Sequence, residues 1–273
     1  MIPGAPRQFD EGDRLPQTLP GLLARAASRG LGGWSFHSGR DVVALPVAEL
    51  YERALRLASE MGRAGVGIGT QVGIVGPNCP DWACWAWATW LSGAALVPLP
   101  APLLVGASFA SQVTSLLDAT RCSIVVGDRR YLDQLAPGHF ERWDWSAPVP
   151  PTRNVVRGER RTLSPSDLAV VLCTSGSTAD PKAVRMSHAR AVEWAVHNVV
   201  HPSDGSVPSM VTWFPFYHIA GLGILFELVS PVDQHVIGMR RFLADPASWL
   251  RLVGETRVRD HGNFALSGHG SSR

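Results

Sequence analysis

One stretch of the chain combines residue types that suit the polyphosphate of a nucleotide. The apolar run Val170–Cys173 leads directly into Thr174-Ser175-Gly176-Ser177-Thr178, and Lys182 follows after Ala179-Asp180-Pro181. Small residues let backbone N–H groups line a concave anion site. The hydroxyl groups add hydrogen-bond donors, and the lysine brings a mobile positive charge. We therefore predict that the phosphates are bound by Thr174, Ser175, Gly176, Ser177, Thr178 and Lys182.

Three other motifs fit this sequence poorly. A P-loop would end in Gly-Lys-Ser/Thr, where this chain has Pro181-Lys182-Ala183. A dinucleotide-binding loop needs three spaced glycines, and only Gly176 is present. The Gly-x-Ser-x-Gly elbow of the α/β-hydrolases occurs nowhere in the chain. The remaining alternative is an ordinary Ser/Thr turn between a strand and a helix.

A second candidate site lies further along the chain. The segment Trp213-Phe214-Pro215-Phe216-Tyr217-His218-Ile219-Ala220-Gly221 is an aromatic run with one imidazole, between a predicted strand and an apolar helix. Such a surface suits an acyl chain or a flat ring, with the histidine at its polar end. The predicted acyl-pocket residues are Trp213, Phe216, His218 and Gly221. The alternative is core packing around a hydrogen-bonded histidine.

Both segments resemble motifs of the AMP-forming acyl ligases, the adenylate-forming family that includes acyl-CoA synthetases and fatty acyl-AMP ligases. The family's phosphate motif is commonly Thr-Ser-Gly-Ser/Thr-Thr-Gly-x-Pro-Lys-Gly, followed by a short strand and a Ser-His pair that opens a helix. Here that place is taken by Val184-Arg185-Met186-Ser187-His188, and Ala179 and Ala183 replace two family glycines. The aromatic segment is similar to Leu-Pro-Leu-x-His-Asp-x-Gly, with Ile219 in place of Asp.

The resemblance implies a reaction and its cofactors. A carboxylic or fatty acid would react with ATP to give acyl-AMP and pyrophosphate, with Mg²⁺ on the phosphates and no metal ligand from the protein. Transfer to the thiol of coenzyme A or of a phosphopantetheine carrier protein would follow. His218 would lie at the mouth of the acyl tunnel, beside the carboxylate that is activated.

The resemblance covers only the front part of the family's enzymes, from about Leu22 to about Leu266. We expect residues 1–266 to form a partial N-terminal AMP-binding domain and residues 267–273 a flexible tail. The family's adenine and ribose contacts, and its C-terminal domain with the catalytic lysine, have no counterpart in the sequence. The chain is therefore predicted to be a truncated ligase, with an acyl carrier protein or a complementing C-terminal chain as candidate partners. The alternative is a non-catalytic remnant that acts as a binding or interaction protein.

The apolar pattern places these motifs in an α/β fold. Helical spacing predicts helices over Leu50–Met61, Trp82–Leu91, Phe109–Leu117 and Gly221–Val229, one capped by Ser187 and one with Asp245 as N-cap. Short apolar runs predict strands at Gln71–Val75, Ala95–Leu99, Ser123–Val126, Leu168–Cys173, Met210–Trp213 and His235–Ile237. The segment Ala136–Thr162 lacks periodicity and is predicted to be a loop. This alternation predicts layered parallel sheets with helices on both faces, in which ligands bind at the carboxyl ends of strands.

Composition limits the remaining function classes. With 273 residues, 45% of them hydrophobic and 18% charged, the chain can bury a core. A formal net charge of +2 gives no reason to expect nucleic acid as a partner. The four cysteines lack metal-site spacing and Met1–Asp10 lacks a signal-peptide profile, so we expect reduced thiols and a cytoplasmic location.

Two further features carry alternatives. The run Trp82–Leu117 contains no charged residue, but glycine and prolines interrupt it, so we expect burial in the protein rather than a transmembrane segment. His197 and His201 are four residues apart, as metal ligands on one helical face would be. A zinc protease motif would need Glu where Asn198 stands, and we predict no protein-held metal.

Overall fold

The computed structural model describes residues 14–39, 41–106, 108–151, 158–159, 161–174, 182–197, 209–229 and 233–256. The predicted phosphate-binding residues Ser175, Gly176, Ser177 and Thr178 lie outside these ranges, and so does His201. For Thr174 and Lys182 the structure describes the backbone but not the side chain.

Strands and helices alternate along the described part of the chain. The strands are β1 (Gly33–Ser38), β2 (Asp41–Pro46), β3 (Gln71–Val75), β4 (Ala95–Leu99), β5 (Ile124–Gly127), β6 (Glu141–Asp144), β7 (Leu168–Thr174), β8 (Lys182–Ser187), β9 (Ser209–Thr212) and β10 (Asp233–Ile237). The helices are α1 (Leu19–Arg29), α2 (Val47–Arg63), α3 (Pro80–Leu91), α4 (Ser108–Thr120), α5 (Arg129–Leu132), α6 (His188–His197), α7 (Ile219–Phe226), α8 (Met239–Ala244) and α9 (Ala247–Glu255).

The strands form two sheets. The large sheet has the order β6-β5-β3-β4-β7-β8, and the small sheet has the order β2-β1-β10-β9. Every pairing is parallel except those of β1 with β2 and of β7 with β8. Alternate residues of β4 enter different cores: Leu96 joins the core shared with α3 and the small sheet, whereas Val97 packs in the core beneath α4. The predicted layered sheets with helices on both faces are confirmed.

Two local predictions were wrong. The predicted loop Ala136–Thr162 contains β6, which pairs in parallel with β5. Only Trp143 of β6 is buried, so this edge strand has no apolar run to reveal it. The predicted side-chain cap by Asp245 is also absent, because α9 begins at Ala247, one residue later than predicted, and the Asp245 carboxylate pairs with Arg251.

The uncharged stretch predicted to be buried forms α3 and β4. Four tryptophans of α3 are fully or almost fully buried: Trp82, Trp85, Trp87 and Trp90. Because α3 contacts α1 and α2 as well as β3 and β4, it is apolar on all sides. Within the described ranges, no helix is both long and apolar enough to cross a membrane.

Glu227, directly after α7, is expected to make the stability of the fold fall between about pH 5 and about pH 8. Its side chain is 4% exposed, and burial raises its pKa from 4.5 to about 8. Between these values the folded chain keeps a proton that the unfolded chain has lost, so stability falls as pH rises through this window, by at most about 1.4 kcal/mol per pH unit. We expect Glu227→Gln to flatten the slope of unfolding free energy, measured in urea, between about pH 5 and about pH 8. The exposed control Glu255→Gln should keep the slope, and an equal slope in both variants would contradict the expectation.

Candidate active site

The phosphate motif is carried by a β-hairpin of the large sheet. Thr174 at the end of β7 is the antiparallel partner of Lys182 at the start of β8. The two ends of the connection 175–181 therefore lie side by side at the carboxyl end of β7. Because β7 runs parallel to β4, and β4 to β3, the connection leaves the sheet at the end where those strands also finish.

A tryptophan of α3 is hydrogen-bonded to the backbone of β7. The Trp90 indole N–H donates to the Ala169 carbonyl oxygen at 2.9 Å in a buried hydrogen bond. Ala169 lies at a register shift between β7 and β8. The indole N–H thus supplies a donor to a buried carbonyl at an irregular point of the strand pairing.

The aromatic segment Trp213–His218 continues from β9 of the small sheet. The Trp213 ring stacks on Phe242 of α8, with centroids 4.1 Å apart and planes at 4°, and on Phe214 at 4.5 Å and 19°. Protein rings therefore occupy the stacking surface of this indole. Trp213 can therefore contact an acyl group through the edge of its ring, together with the edges of the two rings stacked on it.

Phe216 points into the protein. It has no exposed surface. Its ring centroid lies 5.2 Å from that of Trp82 in α3 and 6.2 Å from that of Phe36 in β1, which it meets edge-on. Its ring joins the aromatic segment to the core between the two sheets. Its role in an acyl pocket remains a prediction. Its contacts are with core residues, so the ring anchors the aromatic segment to the core.

His218 is exposed and caps α7. Its Nδ1 accepts a hydrogen bond from the Ala220 N–H at 3.3 Å. In the neutral ring the proton is then on Nε2, which is left as a donor. The imidazole therefore offers a hydrogen-bond donor at the start of an apolar helix, where an anion is also favoured by the free N–H groups of the first turn.

Gly221 allows the turn before α7 to fold back tightly. A Cβ atom at this position would lie 2.1 Å from the Pro215 carbonyl oxygen and 2.7 Å from the Phe214 carbonyl oxygen. Both contacts are with backbone, which cannot swing aside as a side chain can. The glycine is therefore required by close packing of the same segment that presents His218.

Asn78 is a site residue that sequence reasoning missed. It lies between β3 and α3, and its side-chain amide bonds the aromatic segment twice: Nδ2 donates to the Phe214 carbonyl oxygen at 2.7 Å, and Oδ1 accepts from the Phe216 N–H at 2.8 Å. The aromatic segment is thus bonded to the loop at the carboxyl end of β3, in the sheet that also carries the phosphate hairpin. The available signal was an asparagine three residues after a buried strand.

The other sequence candidates have ordinary surroundings. The Nδ1 atom of His197 lies 2.8 Å from the Glu193 carbonyl oxygen of its own helix. No group of three or more His, Cys, Asp or Glu side chains in the described ranges could hold a metal ion. All four cysteines are free thiols, as predicted: Cys79, Cys84, Cys122 and Cys173.

Comparison with known proteins identifies the family. The model of the AMP-binding enzyme family matches residues 35–260. A 4-hydroxyphenylalkanoate adenylyltransferase of Mycobacterium tuberculosis is 25% identical over 225 residues, which are 77% of this chain and 36% of the relative. A putative fatty-acid–CoA ligase of the same species is 26% identical over 276 residues, covering 89% of this chain and 45% of the relative.

A solved structure shares the fold of this chain. The McyG A-PCP structure complexed with phenylalanyl-adenylate superimposes with a TM-score of 0.77 at 20% identity, covering 91% of this chain and 40% of that one. The chain spans less than half the length of these relatives. From the family match over most of its length, we conclude that the chain belongs to the AMP-binding enzymes.

Proposed function

We propose that this chain supplies the phosphate-binding and acyl-binding parts of a ligase that makes acyl-adenylates. One observation carries the proposal. The hairpin with the phosphate motif leaves the large sheet at the end where β3 and β4 also finish, and Asn78, just after β3, is hydrogen-bonded to the backbone of the segment that carries His218. A carboxylate held near His218 would then face a nucleotide whose phosphates lie on the hairpin.

In the proposed reaction a carboxylate oxygen attacks the α-phosphorus of ATP. The bond from that phosphorus to the oxygen of pyrophosphate breaks, and acyl-AMP remains. The protein aligns the two reactants and offsets the developing charge. Lys182 and the hydroxyl-rich connection would hold the phosphates, and Nε2–H of His218 would orient the carboxylate. Mg²⁺ would be bound chiefly through phosphate oxygens.

We also propose the acceptor of the acyl group, a partner chain and the cellular location. The acyl group would pass to the thiol of coenzyme A or of a carrier protein in the cytoplasm. Since the chain spans less than half of its relatives, we propose that residues beyond it, or on a complementing chain, supply the adenine and ribose contacts and the catalytic lysine. The acid is proposed to be apolar, because the residues next to His218 in the chain are aromatic and aliphatic and the Phe214 ring lies beside the imidazole.

Acid-dependent exchange of pyrophosphate into ATP tests the function. We expect exchange over part of a broad acid panel when the chain is joined to, or mixed with, the downstream half of the ligase. Without that half, we expect nucleotide binding and no exchange. Absence of both exchange and nucleotide binding under either condition would favour a remnant that serves as a binding or interaction protein.

Lys182 offers a test that needs no turnover, because it is the only lysine in the sequence. Pyridoxal phosphate followed by borohydride should label Lys182 and the N-terminal amine, and ATP should protect Lys182 alone. The amine of Met1 is thus an internal control. We expect Lys182→Ala to weaken ATP binding by about tenfold to a hundredfold, since it removes charge-assisted bonds to phosphate. Labelling of Lys182 that ATP leaves unchanged would contradict the assignment.

A further inference from the structure

Asn78 bridges the two sheets at the candidate active site. It follows β3, which lies two strands from β7 in the large sheet. Both ends of its side-chain amide are used, one donating to the Phe214 carbonyl at 2.7 Å and one accepting from the Phe216 N–H at 2.8 Å. Two bonds from one planar amide fix both the distance and the orientation of the segment that they hold.

Three further hydrogen bonds in and after this segment are local. The Phe214 N–H donates to the Thr212 hydroxyl, and the His218 N–H donates to the Pro215 carbonyl. The Leu222 N–H donates to the His218 carbonyl. These bonds shape the turn but do not set its position relative to the large sheet. The two bonds to Asn78 do reach the end of that sheet.

The polar bridge is independent of the apolar anchor next to it. Phe216 packs its ring against α3 and β1, and this contact holds a side chain of the segment in the core, whereas Asn78 holds its backbone. The His218 ring, two residues later, is exposed, and its centroid lies 6.0 Å from that of the Phe214 ring. A shift of the Phe214–Phe216 backbone would therefore move the imidazole.

We propose that Asn78 is a positioning residue that sets the distance between His218 and the phosphate hairpin. This inference rests on the proposed function, and it deepens it by assigning the alignment of acid and nucleotide to one side chain. Asn78 touches neither reactant in this role. It acts through the backbone of residues 214–216.

The bridge itself is tested by amide hydrogen exchange, which requires no ligand. The wild type is compared with Asn78→Ala, Asn78→Asp and the exposed α4 control Gln112→Ala. We expect the Phe216 amide to exchange at least about tenfold faster in Asn78→Ala, since its acceptor is gone. Asn78→Asp should keep that protection, because a carboxylate oxygen still accepts, while it loses the donor to Phe214. Unchanged exchange at Phe216 in Asn78→Ala would overturn the proposal.

The positioning role is tested by ligand affinities in the complete ligase. A non-hydrolysable acyl-adenylate analogue should bind at least about tenfold more weakly to Asn78→Ala and Asn78→Asp, while ATP affinity and the melting temperature of Asn78→Asp stay near those of the control. Equal losses for ATP and the analogue would show a general structural role and overturn positioning. If the wild type binds neither ligand, the proposed function fails, and hydrogen exchange at Phe216 and His218 still decides whether Asn78 holds the segment.

Discussion

Replacing Gly221 with alanine is expected to destabilise the protein and to disorganise the turn that presents His218. The added Cβ would lie 2.1 Å from the Pro215 carbonyl oxygen, well inside van der Waals contact. Overpacking of this kind typically costs about 1–3 kcal/mol, and both contacts at this glycine are with backbone, so we expect the upper part of that range. Acyl-adenylate binding should fall together with stability, because the displaced carbonyls belong to the segment that holds His218.

Gly254→Ala is the matched control for this substitution. Gly254 also lies in a helix, α9, and a Cβ there would have nothing within 4 Å. Alanine in an open helical position is expected to stabilise by about 0.5–1 kcal/mol. Urea unfolding of both variants should therefore give changes of opposite sign. Stabilisation by Gly221→Ala would contradict the close packing of this turn.

The second large effect is expected for Trp90→Phe, compared with Trp87→Phe on the same helix. Both indoles are fully buried and their rings pack edge to face at 4.8 Å. The Trp90 N–H donates to the Ala169 carbonyl, whereas the Trp87 Nε1 has no hydrogen-bond partner. The loss of ring volume is the same in both variants. Only Trp90→Phe leaves a buried carbonyl of β7 without its donor.

We expect Trp90→Phe to lose about 1–3 kcal/mol more unfolding free energy than Trp87→Phe. Removal of an unsatisfied indole N–H offsets part of the cavity cost at Trp87. The Trp90 change should also weaken nucleotide binding, because β7 leads into the phosphate connection. Equal losses for the two variants would show that the bond to Ala169 contributes nothing measurable.

The predictable parts of the fold are those whose apolar pattern fits only one type of secondary structure. The runs Gln71–Val75 and Ala95–Leu99 are the strands β3 and β4 as predicted, because buried parallel strands are continuously apolar and end at turn residues. The strand β6 escaped prediction because an edge strand buries only Trp143 and is otherwise polar. The hairpin of β1 and β2 was equally hidden, since most of β2 is exposed.

The candidate site was predictable where chemistry is local in sequence. The phosphate motif and His218 are recognisable from residue types and spacing alone. The inward direction of Phe216 depends on contacts with Phe36 and Trp82, which no local pattern reports. Asn78 is more than one hundred residues from its partners, so only the folded chain shows that it holds the aromatic segment.

Exchange of labelled pyrophosphate into ATP, with the chain joined to the downstream half of the ligase, tests the proposed function most directly. The expected result is exchange that requires a carboxylic acid, is lost in Lys182→Ala, and is reduced in Asn78→Asp. Exchange that proceeds equally well in Lys182→Ala, or that is absent with every acid although the wild type is folded, would contradict acyl-adenylate formation at this site.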